Sequence, residues 1–301
     1  CLKILYFLLY LGYNHDMKTF FRSLFLFFLL LILFPSIASA HQPRIVTSTE
    51  TIVTDPEISK AYYGKLDGDP HIYKINAQKP FNLYINLLVP DVKGQKKDIA
   101  AIITKNGNAE HPIVMLIGAN YDWIRFWEKF GRSWYWQVPE FRKDVGAGEY
   151  EIKIWNGLND SKYVLAIGEK ENFNFSETLN AIKLIPKIKW SFSNQLPTNF
   201  ILSPFGFGYV FIMYVLAFGA GFLYQAIIKK IHPNNSKYGV HKNIGKKDRE
   251  LRLAIGTGLF IIAITTIWHP FLFFFSGFAF FEVVFSWCGI YSILGKSTYS
   301  E

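Results

Sequence analysis

From Phe205 to Ile228 the chain reads FGFGYVFIMYVLAFGAGFLYQAII, with no charged side chain. Coiled as a helix, that run covers about 36 Å, enough to cross a hydrocarbon core of ~30 Å with some tilt. A buried helix of a soluble protein would hardly be this long and apolar on all sides. Ala217 and Gly221 form a small-xxx-small pair, the spacing that lets helices approach closely. Two further apolar runs follow, at 251–268 and 271–294, separated by His269-Pro270. Proline at that junction predicts a tight helical hairpin. The expectation is therefore an α-helical membrane region of three transmembrane helices, at 205–228, 251–268 and 271–294.

Charge gives the expected orientation. The chain carries a formal net charge of +9, and Lys229–Arg252 alone holds eight basic and two acidic residues. Basic loops stay on the cytoplasmic side of a membrane, so 229–250 reads as a cytoplasmic loop and 295–301 as a cytoplasmic tail. Residues 41–200 are nearly balanced, with 20 basic and 18 acidic side chains, so no nucleic-acid surface is expected. The two cysteines, Cys1 and Cys288, cannot build a disulfide framework or a CxxC metal site.

Upstream, Met17 opens a basic n-region, an apolar run LFLFFLLLILF and a small-residue Ala38-Ser39-Ala40 site. This reads as a secretory signal peptide over 17–40, with 1–16 as upstream translation outside the natural product. The exported part then starts at His41.

Beyond His41 the hydrophobic period changes to two. FNLYINLLV puts Phe81, Leu83, Ile85 and Leu87 on one face, and EYEIKIW puts Tyr150, Ile152 and Ile154 opposite Glu149, Glu151 and Lys153. Such alternation marks strands with one wet face. With further short candidates such as RIVTSTETIV, HIYKIN and IAAIITK, separated by DGDP, KNGN and NGLND turns, it predicts an all-β antiparallel sandwich over 41–175. Residues 176–204, with Lys187, Lys189 and Trp190, read as a juxtamembrane linker resting on the outer surface. The closing strands, residues 147–171, resemble the final hairpin of pre-peptidase C-terminal-type sandwich domains.

Function is less legible. YDWIRFWEKFGRSWYWQVPEFR, residues 121–142, concentrates nine aromatic rings and three arginines. Trp, Tyr and Arg dominate binding hot spots, so Trp123, Arg125, Trp127, Trp134, Tyr135, Trp136 and Arg142 are the ligand-binding candidates. The competing account is a lid whose rings fill the core. Asp67 and Asp69 in LDGDPH fit an Asp-Gly turn better than a calcium loop. An exposed mature His41 could chelate copper if His71 or His111 joined it. No catalytic motif occurs, no cofactor is implied, and an enzymatic role is left open.

One segment is more specific. NIGKKDRELR opens the stretch from Asn243 to Leu294, which closes on CGIYSILG. This stretch resembles the YgaP-like inner-membrane domain family, a two-helix transmembrane domain of unknown function. Asn243, Gly245, Asp248, Arg249, Arg252, Gly256, Cys288, Tyr291 and Gly295 carry the resemblance. Gly289 stands where the family often has Pro, and Tyr299 near the place of a frequent terminal Cys. The arginines can reach lipid phosphates, and Asp248 and Arg252 have i, i+4 spacing. Glu282 lies inside the last apolar run, where a bare carboxylate is costly, and is the intramembrane candidate.

These readings combine into a multi-pass inner-membrane protein with an extracytoplasmic binding or sensing domain. Its expected partners are the lipid bilayer and either a second copy or another membrane protein. The alternatives are a structural partner in a membrane complex and an envelope copper-handling protein.

Overall fold

The computed structural model describes residues 41–231 and 242–299. The signal-peptide expectation, residues 232–241 of the central basic loop and the last two residues fall outside them. The described residues divide into two compact units. One is β-rich and runs to Tyr209, with 264–268 added; the other is helical and comprises 210–263 and the residues from His269 onward.

The β unit has twelve strands, β1 (Gln42–Ile45) to β12 (Lys162–Ile167), in two sheets. The first sheet runs in the order β1, β3 (Lys60–Lys65), β12, β5 (Phe81–Pro90), β9 (Ser133–Gln137) and β8 (Ile124–Glu128), with β10 (Phe141–Val145) also on β5; the second runs β2 (Glu50–Ile52), β4 (His71–Ala77), β11 (Gly148–Trp155), β6 (Ala100–Lys105) and β7 (Val114–Ile117). Both are mixed, which corrects the purely antiparallel expectation. RIVTSTETIV is not one strand: β1 lies parallel to β3 (Lys60–Lys65), and β2 (Glu50–Ile52) lies parallel to β4 (His71–Ala77). The segment thus supplies an edge strand to each sheet in turn, which no hairpin could do.

The core between the sheets is built as the alternation predicts. Leu83, Ile85 and Leu87 of β5 (Phe81–Pro90) meet Tyr150, Ile152 and Ile154 of β11 (Gly148–Trp155). The outer face of the first sheet is buried as well. Tyr84 and Leu88 of β5, with Val164 and Ala166 of β12, pack under Ile188 and Phe192. The cover comes from α1 (Phe175–Lys187) and the π-helical turn Ile188–Phe192 that continues it. The stretch expected as a linker is therefore a second layer of the β unit, and β5 is buried on both faces. Asn174 starts α1 by accepting a hydrogen bond from Glu177 N at 2.9 Å.

The apolar run forms α2 (Pro204–Ile231), the one described helix long and apolar enough to cross a membrane. Its exposed leucines, isoleucines and valines, such as Ile212, Val215, Leu216 and Leu223, need an apolar solvent. Two helices follow, α3 (Lys246–Thr265) and α4 (Pro270–Phe285), then a short α5 (Gly289–Leu294). The third expected span is thus not continuous. Helix α4 stops at Ser286, which is left-handed at φ 52°, and its 16 residues cover only about 24 Å. The small residues of α2 are used inside the chain: Ala217 is fully buried against Gly277, and a Cβ on Gly221 would meet the Phe281 ring at 2.5 Å.

Candidate functional site

Two groups of residues answer to the sequence candidates, one in each unit. In the helical unit, the break after α4 exposes backbone groups that a membrane cannot satisfy. Asn243 satisfies them. Its Oδ1 accepts from Cys288 N at 2.7 Å, and its Nδ2 donates to Cys288 O at 2.9 Å and to Ser292 Oγ at 3.0 Å. Its own N–H donates to Ser286 O. Gly245 lets the C-terminal strap pass, since a Cβ there would lie 2.1 Å from Thr298 O. The Thr298 hydroxyl accepts from Gly245 N and donates to Asp248, which also accepts from the Tyr291 hydroxyl at 3.1 Å.

The charged residues of the motif turn inward. Arg252 Nε donates to Glu282 Oε2 at 2.8 Å, and the two side chains are only 16% and 14% exposed. The Arg252 guanidinium lies 5.1 Å from the Tyr291 ring centroid. The Cys288 thiol interacts with both Arg252 and Glu282. Arg249 Nε donates to Val283 O, one of the last carbonyls of α4. Asp248 makes its hydrogen bonds to the other end of the motif, to Thr298 and Tyr291, and Arg252 forms its ion pair with Glu282. Glu282 faces a neighbouring helix, where the guanidinium of the same motif offsets its charge. Gly289 also has a local reason: a Cβ there would sit 1.8 Å from the Tyr224 ring.

In the β unit, the aromatic segment folds into the hairpin β8 (Ile124–Glu128) and β9 (Ser133–Gln137), with β8 as the sheet's last strand. Cross-strand register places Arg125 opposite Trp136 and Trp127 opposite Trp134, all on one face. The rings and cations interleave there. Trp127 and Trp134 are 5.0 Å apart, the Arg125 guanidinium lies 4.3 Å over Trp134, and Lys97 Nζ lies 3.3 Å over Trp136. Asp91 joins them, accepting from Arg125 Nε at 2.8 Å and from Trp136 Nε1 at 2.9 Å. We call this ladder the shelf. Trp134 is 39% exposed and Arg125 is exposed, while Trp136 and Trp123 rest on the edge of the inner core. Trp123 donates to Gly118 O.

Two of the seven candidates do not join it. Tyr135 points the other way, into the core under the π-turn. Arg142 lies over Tyr84 on that same outer side and pairs with Glu140 and Glu169. Asp91 and Lys97 escaped the sequence reading because a turn and a lysine-rich loop give no sign of what they will face.

The turn of the hairpin is fastened by a buried amine. Lys189 Nζ donates to Gly131 O, Arg132 O and Ser133 Oγ at 2.7, 2.8 and 2.7 Å. Burial pulls this amine down to about 8, against the opposing pull of Glu128, so it keeps its proton at neutral pH. Lys189 is thus no lipid-facing snorkel but a plug.

Of the copper candidates, His41 and His71 are each held by a hydroxyl, and His111 is exposed. His41 Nδ1 meets Ser59 Oγ at 2.5 Å and its ring stacks on Tyr84, with burial pushing its pKa to about 4. His71 Nδ1 is hydrogen-bonded to the Tyr163 hydroxyl. Among the described residues no three His, Cys, Asp or Glu converge on a point.

Comparison with known proteins assigns one of the two groups. Residues 240–301 match the family model described as inner membrane protein YgaP-like, transmembrane domain. The chain is accordingly a membrane protein, and the stitched hairpin is its YgaP-like part. The β unit lies outside that match. Among solved structures, the pre-peptidase C-terminal domain of collagenase from Bacillus anthracis is similar at 9% identity. The likeness covers 43% of this chain and 95% of that one, with a TM-score of 0.25. No similar protein is found among curated sequences.

Proposed function

We propose that this is a binding protein of the cell envelope, anchored in the inner membrane, whose β unit is exported and presents the shelf to its ligand. The observation that carries the reading is the Trp–cation ladder left open on the terminal strand of a sheet. Three features support the sidedness: the signal-peptide pattern, the basic loop at 229–250 and the apolar runs that would return the C-terminus to the cytoplasm. No catalytic step is proposed. The shelf has no nucleophile paired with a base, and its cations are already stacked and paired.

One observation favours a protein as the ligand. Strand β8 ends the strand order, and Ile124 and Phe126 on its other face are 59% and 38% exposed. An open edge with apolar side chains suits strand addition by a membrane-complex partner. The test uses the full chain in nanodiscs against glycan and peptide arrays, with Arg125→Ala and Trp134→Ala variants. Saturable binding that both variants abolish is expected, and binding that both retain rejects the shelf. Protease added to intact spheroplasts should digest the β unit; its survival would place it on the other side.

A further inference from the structure

The β unit ends on a collar of exposed apolar side chains immediately ahead of α2. Trp190 is 52% exposed, Leu196 54% and Leu202 68%. They lie on the π-turn, the following bend and the 3-10 stretch Pro197–Leu202, and the next residues begin α2. From Thr178 to Ser203 the chain has three lysines and no acidic residue, and Lys183 and Lys187 are exposed.

This collar is not a loose tether. Lys189, next to Trp190, is plugged into the β8–β9 turn. Lys162 Nζ of β12 donates to Phe192 O at 2.6 Å, and Gln195 N donates to Lys189 O at 2.8 Å. Asn199 Nδ2 donates to Arg132 O at 3.0 Å, and Phe200, fully buried, packs on Trp268 with centroids 4.9 Å apart. Phe130 of the hairpin turn lies 4.3 Å from Phe205, in the first turn of α2. All of these contacts lie within the β-rich unit, which takes in the first residues of α2 as far as Tyr209.

We propose that the collar of Trp190, Leu196 and Leu202 seats the β unit directly on the headgroup layer of an anionic bilayer. Continuity with α2 fixes the depth: the uncharged run starts at Phe205, three residues after Leu202, so the collar meets the interface. The chemistry matches, since an indole and aliphatic side chains suit the boundary and exposed lysines suit lipid phosphates. The seat holds the β unit against the membrane whether or not the shelf binds anything.

The experiment places the full chain in nanodiscs of phosphatidylglycerol and phosphatidylcholine, with the latter brominated near the headgroup. Emission of the wild type minus that of Trp190→Phe isolates Trp190, an exposed position where Phe is tolerated. Brominated lipid should quench this difference at least twofold while aqueous acrylamide leaves most of it. A difference signal untouched by brominated lipid overturns the proposal. In that case acrylamide quenching means the collar stands in water, and protection from both quenchers means protein covers it. As a second reading, Leu196→Asp with Leu202→Asp should lift the lipid quenching of Trp190 and leave the near-UV dichroism of the β unit unchanged. Quenching that persists in this double variant also counts against the seat.

Discussion

The hairpin and the shelf use the same chemistry to opposite ends. Each sets an arginine over an aromatic ring and beside a carboxylate: Arg252 with Tyr291 and Glu282, Arg125 with Trp134 and Asp91. In the hairpin every such group is shielded and spent on its neighbours. On the shelf the arginine and the indole remain open to solvent. A buried pair holds a fold together because removing one partner strands the other, whereas an exposed pair is weak enough to be exchanged for a ligand.

That contrast can be broken most forcefully at Arg252. Arg252→Ala or Glu282→Leu alone should destabilise the chain by about 3–5 kcal/mol in detergent unfolding, while Arg252→Met with Glu282→Leu should recover most of it. Equal losses in single and double variants would deny the pairing. Next comes Lys189→Met, which leaves two carbonyls, a hydroxyl and Glu128 without their cation. A loss of about 3 kcal/mol is expected, with faster proteolysis between β8 and β9. Asn243→Ala should cost about 2 kcal/mol by freeing the Cys288 and Ser292 groups, and should raise thiol labelling of Cys288.

His41 gives a smaller effect with a definite sign. Its folded pKa of about 4 lies below the usual 6.5, so the unfolded chain takes up more protons between those values. Stability is full above pH 6.5 and falls as the pH drops toward 4. His41→Phe should flatten that slope in acid titration, by about 1 kcal/mol at most after solvent screening. Smallest of all, Arg125→Ala and Trp134→Ala should change stability by less than about 1 kcal/mol. A larger loss would make the shelf another piece of internal stitching.

Much of this molecule is written locally. Period-two alternation in FNLYINLLV and EYEIKIW assigned the inner core, because a strand offers only two faces. An uncharged run the length of a bilayer assigned α2, and NIGKKDRELR assigned the hairpin as YgaP-like. What remained hidden depends on partners distant in sequence. Nothing near Glu282 announces Arg252, thirty residues earlier, and nothing near Lys189 announces the carbonyls of Gly131 and Arg132. The break at Ser286 looks like uninterrupted greasy helix until Asn243 arrives to satisfy it. Side-chain periodicity and hydropathy are properties of neighbours along the chain. Burial of a charge is settled only when the fold brings its counter-charge and its hydrogen-bond acceptors within 3 Å, and that is where tertiary structure decided this protein.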